Sequence, residues 1–379
     1  MIKKSTKNLL IIQKAFGVGS ATAVKIYEKL KDTKMLDMDI SDILKSNIFS
    51  SKVIDKFTTV TNKQISDIIK DCYENNIKIL TIEDKLFPIG LRNIPAPPIV
   101  LYIKGKMPDF NNTPSITIVG PRIDKVSEFG KKAAYSLAMR LSRAGFIVVS
   151  GAATGCDTFA HNGALKFSGI TVGVLGCGIM YDYLPENRML RNKICENGCL
   201  ISEYPPYSPT TRYSFPIRNR ILSGLTDGTI VVEAGEKSGA LNTARHANEQ
   251  GRDVFVIPGN PTDEKYKGSN ELLRDGATPL IDTSDVFNRY LPDYSEKINI
   301  EKAFEPIFIE RKEKNTKKSI ETLSKEAKIV YNNLNAQKFT ADDLIGLEIS
   351  DNELISALTE LEFEQIIKSL PGGIYEKIQ

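Results

Sequence analysis

At 379 residues the chain exceeds what one ordinary hydrophobic core organises, and typical domain sizes imply about two to three domains. A hydrophobic share of 41% supports folded domains, while 50 basic against 47 acidic residues leave a net charge of +3, which excludes a surface coated in positive charge. Any nucleic-acid site is therefore a local concentration of cations. Residues 1–70 hold 13 lysines against 7 acidic residues, whereas residues 339–367 hold 8 acidic residues and no Lys or Arg.

The amino terminus carries lysines at 3, 4 and 7, but the apolar run Leu9-Leu10-Ile11-Ile12 stops at Gln13-Lys14, too short for a signal-peptide core. No later run approaches a membrane span, so a cytoplasmic protein is expected. The cysteines at 72, 156, 177, 195 and 199 do not form a disulfide framework. Cys195 and Cys199 resemble half a zinc site, but with His161 and His246 as the only histidines the reading is reduced thiols and no metal.

Residues 8–70 read as short helices, Asn8–Phe16 and Ser20–Leu30 among them, separated by Gly17-Val18-Gly19. A helix–glycine–helix hairpin presents amides that can hold a backbone phosphate, and equally permits a plain tight turn. The expected unit is a small helical domain, SAM-like or helix-hairpin-helix, over residues 1–75. From about Asn76 short β-like runs broken by prolines lead through Ile99–Ile103 into the next domain.

Residues 115–282 alternate strand and helix. Candidate strands are Ile116–Val119, Phe146–Ser150, Val172–Leu175, Leu200–Ser202, Ile230–Val232 and Val254–Ile257. Continuous apolar strands joined by amphipathic crossovers predict an α/β fold with a doubly wound, mostly parallel sheet covered on both faces, its ligand at the carboxyl ends of the strands. The domain is expected over residues 76–285. Residues 286–320 become charged and read as a solvated linker; 321–379 read as helices followed by a hairpin, a winged-helix-like domain.

Small and polar residues collect where the strands end. Gly120-Pro121-Arg122 follows the first, Ser150-Gly151-Ala152-Ala153-Thr154-Gly155 the second, Gly176-Cys177-Gly178 the third, and Glu233-Ala234-Gly235-Glu236-Lys237-Ser238-Gly239 a later one. Such turns let a ligand approach the backbone, and helix N-termini favour an anion. Ser214-Phe215-Pro216-Ile217-Arg218-Asn219-Arg220 adds two forked guanidiniums, an amide and an aromatic ring suited to phosphate and an unpaired base; the same residues also suit helix capping and bridging of buried carboxylates. Four such turns together with Arg122, Arg218 and Arg220 favour a phosphate-binding surface. No G-x-G-x-x-G or Walker loop is present, which disfavours a dinucleotide enzyme or an NTPase, and no cofactor is expected. Ser150, Asp157 and His161 suggest a nucleophilic triad only weakly, because Asp157 and His161 sit one helical turn apart, a spacing that better suits a helix-start carboxylate and a partly buried imidazole.

In order along the chain, Phe87-Pro88, Val119-Gly120-Pro121-Arg122, Ser150-Gly151 with Gly155-Cys156-Asp157, Gly176-Cys177-Gly178, Ser202-Glu203-Tyr204-Pro205-Pro206, Phe215-Pro216-Ile217-Arg218-Asn219-Arg220 and Ser238-Gly239 resemble the DNA-processing protein A family, also called DprA or Smf. The resemblance covers residues 79–282 and is weaker in the terminal units. It implies a Rossmann-like domain that binds single-stranded DNA, dimerises, and helps load the RecA recombinase during natural transformation, with Gly120, Arg122, Arg218, Asn219 and Arg220 as implied DNA contacts. Pro121 stands where a Ser or Thr is usual, removing a hydroxyl and an N–H; Cys156 stands for isoleucine; Glu186 stands where some members carry lysine.

The expected interface therefore comprises Gly120, Arg122, Ser150, Gly151, Phe215, Arg218, Asn219, Arg220, Ser238 and Gly239, with phosphates in the glycine turns and a base on Phe215. Contacts to backbone and a generic π-face predict sequence-independent binding that prefers single strands. The helix expected over Asp351–Glu362 lacks any basic residue, so the last domain is expected to contact protein and not duplex DNA. Two rival readings remain: a nucleotide or nucleoside phosphohydrolase with Glu233 as its carboxylate, and a scaffold whose arginines only join subunits.

Overall fold

The computed structural model describes residues 2–305, 323–334, 336–344, 346–363, 366–370 and 374–378. They fall into two compact units, Met1–Glu305 and Pro306–Gln379.

The first unit opens with five helices: α1 (Lys4–Phe16), α2 (Ala21–Asp32), α3 (Ile40–Lys45), α4 (Ser51–Thr58) and α5 (Asn62–Glu74). Their ends carry local signals. Gly17 closes α1 with its N–H on the Gln13 carbonyl, the Ser20 hydroxyl caps α2 by accepting from the Ala23 N–H, and Thr61 with Gln64 forms a capping box on α5. Leu9, Leu10, Ile12 and Leu30 are buried in one continuous core with Val100, Leu101 and Tyr102 of the sheet. Gln13 joins the two: its amide donates to the Val100 carbonyl at 3.1 Å and accepts from the Tyr102 hydroxyl at 3.1 Å. The helices thus share the sheet's core, and the boundary expected near residue 75 is a turn inside one packed unit.

Nine strands follow: β1 (Ile77–Thr81), β2 (Val100–Gly105), β3 (Ser115–Val119), β4 (Ile147–Ser150), β5 (Thr171–Leu175), β6 (Cys199–Ser202), β7 (Gly228–Val231), β8 (Asp253–Val256) and β9 (Thr278–Pro279). Their order is β1-β2-β6-β5-β4-β3-β7-β8-β9. From β6 to β9 every pairing is parallel, whereas β2 runs antiparallel to both β6 and β1. Between the strands lie α6 (Ile89–Arg92), α7 (Glu128–Arg143), α8 (Cys156–Leu165), α9 (Arg188–Asn197), α10 (Ser214–Leu225), α11 (Gly239–Glu249), α12 (Lys267–Arg274), α13 (Thr283–Tyr294) and α14 (Ile300–Phe304). Alternation along the strands divides the core: Ile116, Ile118 and Val148 pack with Ala138, Ala160 and Phe287, while Ile147 and Val149 pack in the other layer with Ile221 and Leu225.

The stretch read as a linker begins as folded structure. Val286, Phe287 and Tyr290 of α13 are buried beneath the sheet, spaced along one helical face that the surrounding charges obscure in sequence. The remainder of that stretch, 306–320, lies outside the described residues. In the second unit a helix (Lys325–Asn332), a strand (Lys338–Thr340), a helix (Asp351–Phe363) and a hairpin (Ile367–Leu370, Ile374–Lys377) make the winged-helix arrangement, its three strands antiparallel around Ala327, Val330, Leu358 and Leu361.

Strand order turns at the first parallel strand. From β3 the chain winds outward through β4, β5 and β6, then returns to β7 on the other side of β3 and winds outward again through β8. Diverging loops leave a crevice at the carboxyl ends of β3 and β7.

Candidate nucleic-acid interface

That crevice is a pocket of about 620 Å³. Gly120 and Arg122 reach it from β3, Ala153 and Thr154 from β4, Phe215, Arg218 and Asn219 from α10, and Ser238 and Gly239 from the start of α11. Gly155 permits the close packing of two of these loops. Its φ of +96° suits only glycine, and a Cβ there would stand 2.4 Å from the Arg122 carbonyl carbon. The Cys156 N–H then donates to the Pro121 carbonyl at 3.0 Å, which fixes the loop bearing Arg122 against the first turn of α8. At α11 the Ser238 hydroxyl accepts from the Ala240 N–H at 3.3 Å.

Arg122 is exposed and has no hydrogen bond or ion pair to its side chain among the described residues. Its guanidinium lies 5.2 Å from the centre of the Phe215 ring. The ring is half-buried, with Tyr183 at 5.3 Å and Arg218 at 5.9 Å, so it serves first to seat arginines. Arg218 is buried at the floor, donating to the carbonyls of Gly151 (3.0 Å) and Val174 and to the Asn219 amide oxygen (3.2 Å). Burial pulls its pKa below the usual arginine range, while the neighbouring Asp157 carboxylate works the other way. Burial likewise raises the Asp157 carboxyl, against the Arg218 guanidinium and the Ala153 N–H, which donates at 3.2 Å. Asn219 holds the Gly239 carbonyl at 3.4 Å.

Of the residues expected at the interface, Gly120, Arg122, Phe215, Arg218, Asn219, Ser238 and Gly239 share one pocket. Three do not line it. Ser150 is buried and donates to the Ile118 carbonyl at 2.8 Å, and Gly151 lies behind the pocket wall, its carbonyl held by Arg218 and its backbone N–H bonded to the Asp157 carboxyl. Arg220 points away from the pocket and pairs with buried Glu203 at 2.8 Å, with a further bond to the Ala96 carbonyl at 3.0 Å. The expected phosphate contact at Arg220 is corrected accordingly. Residues two apart on a helix face nearly opposite directions, so Arg218 and Arg220 leave α10 on different sides.

Other candidates are likewise engaged inside the fold. Glu233 is fully buried, accepting from the Ser127 N–H at 3.0 Å, the Ser127 hydroxyl and the Tyr266 hydroxyl at 2.8 Å; it ties the first turn of α7 to the sheet and is closed to a substrate. His161 is fully buried with Nδ1 2.8 Å from the Thr171 hydroxyl, which itself donates to the Val148 carbonyl. Nδ1 is then the donor, and Nε2 is left without a partner. Burial drives the imidazole pKa down to about 3, and the ring bonds Thr171 and neither Ser150 nor Asp157, so no triad forms. The Gly19 N–H of the first hairpin is turned to Glu203 at 3.3 Å.

Sequence reasoning missed Lys125, Lys237 and Lys265, exposed at the pocket and without ion-pair partners among the described residues. It also missed that Asp157 belongs to the same wall as Arg218. The pocket's carboxylates Asp124, Asp157, Glu236 and Glu264 nearly balance its cations, but Glu236 is drawn off by Lys267 at 3.0 Å. Scattered single lysines give no periodic signal, so only the fold reveals their convergence.

The family model for DNA recombination-mediator protein A matches residues 78–291. The chain is 38% identical to the DNA processing protein DprA of Bacillus subtilis over 220 residues, 58% of this chain and 73% of that one. It is 36% identical to the DNA processing protein DprA of Streptococcus pneumoniae over 210 residues, 55% and 73% of the two chains. The crystal structure of the Streptococcus pneumoniae protein superposes with a TM-score of 0.67 at 29% identity, covering 76% of this chain and 98% of that one. DNA processing protein A of Helicobacter pylori, whose structure describes a single-stranded DNA binding mode, superposes with a TM-score of 0.51 at 30% identity over 57% and 97% of the two chains. Among the described residues no helix is long and apolar enough to cross a membrane.

Proposed function

The chain belongs to the DNA recombination-mediator protein A family, and on that premise we propose that it binds single-stranded DNA across the carboxyl ends of its parallel sheet, without turning the strand over chemically. The observation that carries the reading is Arg122: a guanidinium with no internal partner, seated on Phe215 at the mouth of the switch-point pocket. An exposed cation held in place by an aromatic ring is available to a phosphate, and Lys125, Lys237 and Lys265 extend the charge around it. Gly120, Ser238 and Gly239 let the backbone come close to that phosphate, while Arg218 and Asn219 shape the floor. Ser150, Gly151 and Arg220 support this surface from behind.

The family premise extends the proposal to a cytoplasmic homodimer that delivers the strand to the RecA recombinase. A phosphohydrolase built on Glu233 is not favoured, because that carboxylate is sealed by Ser127 and Tyr266. The acidic helix Asp351–Phe363 suits a protein contact better than duplex DNA.

The test is a gel-shift comparison of single-stranded and duplex oligonucleotides at two salt concentrations. Tighter, salt-sensitive retention of the single strand is expected; equal binding of both, or none, sinks the reading.

A further inference from the structure

Phe215 is a poor platform for a base, because Arg122, Arg218 and Tyr183 already surround its ring. Two residues earlier, at the N-cap of α10, stands Tyr213, a residue 57% exposed. The exposed Arg212 guanidinium lies 4.6 Å from the centre of that ring, and among the described residues it has no ion-pair partner. The Tyr213 carbonyl accepts the Ile217 N–H at 3.1 Å, so the residue's backbone is held by the helix while its ring projects to solvent. Two residues of chain span at most about 7 Å, so the backbone of Tyr213 stands within that distance of the residue whose ring seats Arg122.

We infer that the Tyr213–Arg212 pair is the surface on which an unpaired nucleobase stacks, in place of Phe215. The inference rests on the single-strand reading above and divides the labour within it. Phe215 orients a phosphate-binding guanidinium; Tyr213 offers an open π-face, and Arg212 supplies both a second stacking plane and a charge complementary to the adjoining phosphate. Base–aromatic stacking tolerates any base, which preserves sequence-independent binding.

The chain contains no tryptophan, so Tyr213→Trp and Phe215→Trp each create a single local reporter. The full-length variants are titrated with an oligothymidylate while binding is followed independently by the anisotropy of a labelled strand. Saturable quenching of the indole in Tyr213→Trp, with little change in Phe215→Trp, is expected. Tyr213→Ala is expected to weaken single-strand affinity by roughly 5- to 150-fold with its salt slope unchanged, as befits a lost stack and no lost phosphate contact. An indole at 213 that stays unmoved at saturation, or quenching confined to position 215, overturns the inference while leaving the single-strand reading intact. Wild-type protein that fails to bind the labelled strand overturns both.

Discussion

Arg220 and Glu203 form an ion pair of 2.8 Å in which neither side chain is more than 7% exposed. Two positions away on the same helix, Arg218 faces the pocket. The R-N-R segment therefore combines a pocket-facing guanidinium with a guanidinium that binds α10 to the loop after β6, and the Gly19 amide on the same Glu203 oxygen brings in the first hairpin.

Removing Arg220 is expected to damage stability before it damages binding. Arg220→Ala leaves Glu203 as a buried charge whose second oxygen already lacks a partner, at a cost of about 3–5 kcal/mol. Urea denaturation measures this directly. A variant as stable as the parent but unable to bind DNA would return Arg220 to the interface.

Arg122→Ala should behave in the opposite way. The side chain is exposed and unpaired, so unfolding free energy should stay within about 0.5 kcal/mol of the parent. The slope of log affinity against log salt should fall by roughly 0.7, one single-strand phosphate contact. Anisotropy titrations at several salt concentrations give that slope, and an unchanged value would place Arg122 outside the contact.

Glu233 is expected to act through the fold. Glu233→Ala strips the acceptor from Ser127 and Tyr266 and should cost about 1–3 kcal/mol. Gly130→Ala probes the same junction: its new Cβ would lie 2.5 Å from Glu233 Oε2, outweighing the roughly 1 kcal/mol that alanine normally brings to a helix. Both should lower the melting temperature, and the parent protein incubated with nucleoside monophosphates should release no free base. Free base that disappears in Glu233→Ala would establish the enzyme reading instead.

His161 should make stability pH-dependent. Its pKa is about 3 in the folded chain against an ordinary 6.5, so the unfolded chain takes up more protons between those values. The stabilisation is fully present above pH 6.5 and is lost as the pH falls toward 3, by at most about 1.4 kcal/mol per unit. Urea midpoints at pH 7, 6, 5 and 4 should fall more steeply for the parent than for His161→Gln. Parallel curves would remove His161 as the cause.

Period and punctuation made much of this architecture legible. The apolar runs that became β3 to β8 and the turns after β3 and β7 were visible because buried parallel strands carry continuous Val and Ile, and close turns need small residues. What escaped were consequences of three-dimensional direction. In sequence Arg218 and Arg220 read as one cluster, whereas the helix turns them apart; Phe215 reads as open, whereas Arg122 and Tyr183 lie beside its ring; and Gln13 gives no hint that it reaches Val100 and Tyr102. The helix at Val286–Tyr290 was hidden by the charges that cover its outer face.

The bond between Gly19 and Glu203 joins positions 184 apart, whereas Gln13 meets Val100 after only 87. At ordinary rates of protein synthesis, roughly 5–20 residues per second, Glu203 leaves the ribosome about 10–40 s after Gly19. The amino-terminal helices can thus lean on β2 while translation continues, and the hairpin is fastened only once α10 and its Arg220 have emerged. Assembly of the pocket at the carboxyl ends of the sheet and final locking of the amino-terminal helices become one late, shared event.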